Sequence, residues 1–72
     1  MKLLNFEKKD HYRFSFTFEN GEMKEIDLQH LIGQHVSSEF LDTARINKEW
    51  GCLEFKDGAV DIEPKTLYKA CN

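Results

Sequence analysis

YRFSFTFENGEMKEIDL, running from Tyr12 to Leu28, decides how this chain folds. Aromatic side chains at Tyr12, Phe14, Phe16 and Phe18 alternate with Arg13, Ser15, Thr17 and Glu19, a period of two that no helix produces. Asn20-Gly21 interrupts the pattern with two residues that tolerate positive φ, which predicts a two-residue turn. On the return, Lys24, Ile26 and Leu28 share one face while Met23, Glu25 and Asp27 share the other. The stretch is therefore an antiparallel hairpin with one face rich in phenylalanine. A chain of 72 residues has room for one core, and this hairpin organises it.

Working outward, Leu3, Leu4 and Phe6 predict a first strand over residues 2–7, with Lys8–Asp10 as the turn into the aromatic strand. The three strands form a meander. Beyond Asp27 the period changes. Asp27 is the expected N-cap of a short helix over Leu28–Ile32 that Gly33 stops. Val36–Thr43 predicts another helical turn or two, with Ser37 or Ser38 as cap, Glu39 in the first turn, and Phe40 and Leu41 pointing inward. Residues 44–48 and 52–56 read as a further pair of short strands separated by Glu49-Trp50-Gly51. Lys56-Asp57-Gly58 is a tight turn, and Ala59–Ile62 is extended. Pro64 suits the first position of a closing helix, where its missing N–H costs nothing; Leu67 and Tyr68 would dock that helix. The expectation is a single α+β domain spanning residues 1–72.

Composition narrows the function classes. Hydrophobic residues at 40%, with 12% aromatics, suffice for one small core. A domain this short buries only about 60% of the surface its unfolded chain exposes, so extra burial against a partner or a second copy is favoured. Ten basic against 13 acidic residues give a net charge of −3, the wrong sign for a general phosphate-backbone binder. No apolar run approaches the roughly 20 residues that span a bilayer. No signal peptide is visible after Met1, so a cytoplasmic location is expected, with Cys52 and Cys71 as free thiols; a bridge between them is the alternative.

Two groups of residues carry a family resemblance. The hairpin supplies Phe18, Asn20, Gly21, Glu22, Ile26, Asp27 and Leu28. The ending supplies Leu53, Phe55, Asp57, Gly58, Asp61, Ile62, Pro64, Leu67 and Tyr68. Together they resemble the small bacterial family catalogued as domain of unknown function 2442, over nearly the whole chain. The chain departs from the family pattern at Phe55-Lys56, where Trp-Pro is usual, and in carrying both Ala59 and Val60 between the glycine and the Asp-Ile pair. The resemblance implies a curved antiparallel sheet with short helices packed on it. It also implies either a module of the kind fused to helix-turn-helix DNA-binding domains, or a stand-alone, antitoxin-like partner of a small neighbouring protein. These 72 residues are expected to form one domain, so the DNA-binding role is not expected to transfer.

Each candidate site has a structural counterpart. The Tyr12–Phe18 stripe would serve as a base-stacking platform if exposed, but only Arg13 accompanies it, and it reads as core. His30 and His35 lie five apart, off a shared helical face, and His11 sits in a distant strand, so no metal or cofactor is expected. Cys52 lies in an apolar strand pattern and reads as packing rather than as a nucleophile. Asp27, Asp61 and Glu63 read as capping or helix-dipole groups rather than a catalytic carboxylate set. Trp50 is balanced between completing the core and standing exposed as an interaction anchor. The function expected is a non-catalytic, cytoplasmic protein-interaction module, acting as a homodimer or with a small protein partner. Its contacts would come from Trp50, Arg45 and the edge strand with Leu3, Leu4 and Phe6. The alternative is a small-ligand-binding or regulatory domain.

Overall fold

The computed structural model of the chain describes residues 1–70. Cys71, and with it the question of a bridge to Cys52, lies outside the described residues. The chain forms two antiparallel three-stranded meanders joined by short helical segments. The first contains β1 (Leu3–Asp10), β2 (Arg13–Phe18) and β3 (Met23–Asp27), in that order. The second contains β4 (Arg45–Asn47), β5 (Cys52–Phe55) and β6 (Val60–Ile62). Between the sheets run α1 (Gln29–Ile32) and a 3₁₀ helix over Ser38–Thr43; α2 (Pro64–Ala70) closes the chain. The segment read as merely extended after Gly58 is thus the third strand of the second sheet, paired with β5 from Phe55↔Val60 to Leu53↔Ile62.

The aromatic stripe is core. Phe14, Phe16 and Phe18 are fully buried, with Ile26 and Leu3 from the neighbouring strands on the same face. The inner face of the second sheet answers with Leu53, Phe55 and Ile62, and Phe55 meets Phe14 edge-on, ring centroids 6.1 Å apart. Leu28, Ile32, Val36, Leu41 and Leu67 complete the same cluster. Tyr12 is only half-buried, because it lies in the β1–β2 turn. Its hydroxyl donates to the Val36 carbonyl at 2.6 Å, fastening the loop after α1 to the hairpin.

Both turns of the first sheet differ from the sequence expectation. The β1–β2 turn is His11-Tyr12, not Lys8–Asp10, since Asp10 pairs with Arg13 across the strands and accepts from its Nε and a terminal nitrogen, each at 2.9 Å. The charged run Glu7–Asp10 is a solvent-facing strand, which is polar for a reason other than turning. The β2–β3 loop has three residues, Glu19–Gly21. The Gly21 N–H donates to the Phe18 carbonyl, the Phe18 N–H donates to the Glu22 carbonyl, and Gly21 takes φ +87. That is a type I turn closed by a glycine bulge, so only Gly21 requires the left-handed region. Asn20 contributes its side chain instead, accepting the Glu22 N–H at 3.0 Å.

The helical segments are short and lean on the sheets. Leu28, not Asp27, is the N-cap residue of α1, yet Asp27 still caps it: its Oδ1 accepts the Gln29 N–H at 3.0 Å. Gly33 ends α1 with ordinary helical φ rather than a left-handed cap. Phe40 does not point inward alongside Leu41. Three residues per turn set consecutive side chains about 120° apart, so Leu41 is buried while Phe40 stays 37% exposed beneath the Lys56 ammonium. Pro64 opens α2, Leu67 is buried, and the Tyr68 ring stands edge-on to Phe18 at 5.3 Å. No helix among the described residues is long and apolar enough to cross a membrane.

Candidate functional site: a cleft beneath Trp50

Strand alternation in the second sheet sends Leu53, Phe55 and Ile62 inward and leaves Cys52, Glu54 and Asp61 on the outer face. Register sets Arg45 and Asp61 on either side of Glu54, and Asn47 beside Cys52. This outer face floors a cleft of about 520 Å³ whose rim includes Trp50, Met1, Glu63 and Lys65.

The loop from β4 to β5 holds Trp50 out over this cleft. Asn47 organises it: its Oδ1 accepts the N–H of Glu49 at 3.0 Å and of Trp50 at 3.1 Å, and its carbonyl accepts the Gly51 N–H at 2.6 Å. Gly51 takes φ +72, and a Cβ there would overlap the Lys2 side chain, because β1 begins against this loop. The Leu3 N–H donates to the Gly51 carbonyl at 3.1 Å and ties the two sheets together at that point. Trp50 is 68% exposed, so the indole does not complete the core.

Glu54 is the one buried charged residue among those described, at 9% exposure. Its carboxylate is satisfied on both oxygens: Asn47 Nδ2 donates at 3.1 Å and Arg45 Nε at 3.0 Å. These partners, Asn47 first and Arg45 next, hold its carboxyl below the ordinary range. Arg45 also reaches Asp57 at 3.2 Å, so its guanidinium bridges β4 to the β5–β6 turn. That turn is strongly left-handed. Lys56, Asp57 and Gly58 all take positive φ, and the Ala59 N–H donates to the Lys56 carbonyl around Asp57-Gly58. A proline, with φ fixed near about −65°, could not occupy position 56 in this conformation.

Cys52 is half-buried on the cleft floor. Burial first, then the charges of Asp61, Glu63 and Glu54, push its thiol upward, so the sulfur stays protonated and weakly nucleophilic. Asp61 and Glu63 stand at the entry to α2, where their charge faces the helix N-terminus, but they do not cap it by side-chain hydrogen bonds. Among the described residues neither carboxylate accepts a hydrogen bond at the start of α2; both line the cleft, and it is the Glu63 carbonyl that accepts the Leu67 N–H. His11 occupies the β1–β2 turn, and His30 and His35 lie in and just after α1, all three exposed and on separate elements from Cys52.

The candidate contact residues are dispersed. Trp50 and Arg45 belong to the second sheet, one exposed and the other engaged with Glu54 and Asp57. Leu3 is in the core. Phe6 is half-buried against Phe14 at 6.0 Å, and Leu4 stands 62% exposed where the β1–β2 register slips by a residue. A second slip before Asp10, together with exposed Lys8 and Lys9, roughens the rest of the β1 edge. Asn47 and Glu54 were not picked out by sequence reasoning. The available signal was that an Asn closing a strand and a Glu between Leu53 and Phe55 must each find partners.

The comparisons with curated proteins and with solved structures give no match. A family model does match, over residues 5–72, which covers both the hairpin and the Leu53–Tyr68 ending. The chain belongs to the family described as a protein of unknown function, DUF2442.

Proposed function

We propose that the chain is a non-catalytic, cytoplasmic protein-interaction module whose partner, a second copy or another small protein, docks over Trp50. The observation that carries this reading is an exposed indole on a loop already fixed by four hydrogen bonds. Tryptophan is the residue most enriched at the energetic centre of interfaces. A loop that needs no further ordering loses less entropy when it binds. Met1, also exposed, lines the same cleft and extends the apolar lip. The upward push on the Cys52 thiol and the structural engagement of Glu54 and Arg45 support a binding role over chemistry. An antitoxin-like role in a two-protein system rests on the family resemblance alone.

A small-ligand reading draws on the same cleft, whose volume lies in the range of about 300–1,000 Å³ typical of ligand sites. A thermal-shift panel of small cationic and neutral metabolites separates it from the first reading.

Trp50 is the only tryptophan, so its emission reports the proposed contact without a label. Sedimentation and co-elution of wild type and Trp50→Ala are to be compared, with that emission followed in the wild type. Expected are association in the wild type, a blue shift of its emission on association, and loss of association in the variant. A wild-type monomer that retains no partner, with emission unchanged as it is concentrated, would defeat the proposal.

A further inference from the structure

We infer that the free edge of β6 is a strand-acceptor site for an extended, basic segment of a partner protein. This deepens the interaction reading and rests on it, but uses the main-chain edge of β6 rather than the Trp50 loop; Asp61 and Glu63 border both surfaces. β6 is the last strand of its sheet, paired on one side with β5. Antiparallel pairing turns the N–H and C=O of alternate residues toward the neighbour and the others outward. Among the described residues no main-chain hydrogen bond reaches the outward groups of Val60–Ile62 from another element.

The edge opens on a groove of about 290 Å³ rather than on flat solvent. One wall is the consecutive run Val60–Glu63; the other is Leu31, Ile32 and His35 of the α1 region. A strand lines a groove with consecutive residues only when it presents its main-chain edge, because its side chains alternate between faces. Leu31 is 37% exposed and Val60 half-buried, which gives an incoming strand apolar neighbours on both sides. The volume falls at the low limit of about 300 Å³ for small-molecule sites, too tight for a drug-sized ligand. Strand addition combines main-chain bonds with pockets for alternate side chains, and this geometry offers both.

Charge selects the occupant. Asp61 and Glu63 line the groove, and no lysine or arginine does. Two copies joined edge to edge over Val60–Glu63 would bring Asp61 and Glu63 of one against those of the other, a repulsive cross-strand arrangement. A partner strand carrying lysine or arginine between aliphatic residues meets both requirements. The other sheet offers no equal: β1 is bulged and charged along its edge, and β3 carries Lys24 on its inner face beneath Tyr68.

The test is amide-resonance mapping of the full chain, titrated with pools of synthetic heptapeptides alternating valine with lysine or arginine, with glutamate, or with serine. The basic pool is expected to move the resonances of Leu31–His35 and Val60–Glu63, and the acidic pool to leave them unmoved. Asp61→Lys should weaken binding of the basic pool by up to about fivefold, the span of one exposed ion pair. Val60→Pro and Asp61→Pro in turn supply the main-chain control. One substitution removes an N–H that β5 uses and lowers the melting temperature; the other removes the outward N–H, keeps the melting temperature and abolishes binding. No movement with the basic pool, equal movement with the acidic pool, or movement confined to the Trp50 loop would overturn the inference. The Trp50→Ala co-elution result stands apart from all of these, so the docking proposal can survive the loss of this one.

Discussion

Replacing Phe16 by alanine gives the sharpest test of how this small domain holds together. Phe16 is fully buried at the middle of β2, its ring stacked on Phe14 at 5.9 Å and its strand neighbours Phe6 and Lys24 on either side. Truncating a buried phenylalanine costs about 3–5 kcal/mol, the transfer free energy plus the cavity left behind. The lost ring pair contributes about 0.5–1.5 kcal/mol beyond its area. A 72-residue domain at about 0.05–0.15 kcal/mol per residue has only about 4–11 kcal/mol to lose. One substitution therefore removes about a quarter or more of the total. Urea unfolding followed by far-UV circular dichroism measures it. With a slope of about 1–3 kcal/mol per molar for small proteins, the midpoint should fall by at least about 1 M, and the variant should approach the unfolded baseline in water. Should Phe16→Ala fail to fold, Phe16→Leu provides the graded point, and Phe40→Ala provides the exposed control, expected to lose no more than about 1 kcal/mol. A loss below about 1 kcal/mol for Phe16→Ala would refute the assignment of the aromatic stripe to a single shared core.

Other perturbations probe the second sheet. Trp50→Ala should leave stability within about 0.5 kcal/mol of wild type, because the indole packs on little, and a larger change in the urea midpoint would place it in the core. Gly51→Ala should cost at least about 1–2 kcal/mol from the left-handed backbone alone, with the start of β1 displaced as well; amide exchange at Leu3 and Gly51 reports it. Glu54, Glu22 and Glu7 all have carboxyls held below the usual value of 4.5. Their stabilisation is therefore present above that value and lost as pH falls through their lower folded values. Urea midpoints should drop with acid below pH 4.5, and drop less in Glu54→Gln. On a Cys71→Ser background, Cys52 should alkylate more slowly at neutral pH than an ordinary exposed thiol, and faster once Asp61→Asn and Glu63→Gln remove the neighbouring charge; mass spectrometry of the adduct follows the rate.

The hairpin was legible because its signal was doubled: a period of two in the residues and an Asn-Gly break at its end. Alternation also placed β5, while the missing N–H of Pro64 marked the start of α2 and Leu67 its docking face. Polar strand residues were harder. Glu7–Asp10 resembles a turn by composition, and only pairing with β2 shows it to be a strand whose solvent-facing edge is charged. Register was out of reach as well, and with it the loop length at Glu19–Gly21 and the third strand of the second sheet. The site suffered most, since it depends on which residues stand opposite one another. Asn47, Glu54 and Asp61 come together only through cross-strand pairing, so no spacing along the chain announces them. Trp50 was visible as a candidate, but its exposure follows from Asn47 closing the loop beneath it.

The measurement that bears most directly on the account is the emission and quenching of Trp50, taken from dilute to concentrated protein and then with a co-eluting partner. In the dilute chain the indole should give a water-exposed spectrum open to quencher. Once a second copy or a partner covers the loop, the spectrum should be blue-shifted and protected. An indole already blue-shifted and protected at the lowest concentration, or one that stays fully open in every complex recovered, would contradict docking over Trp50.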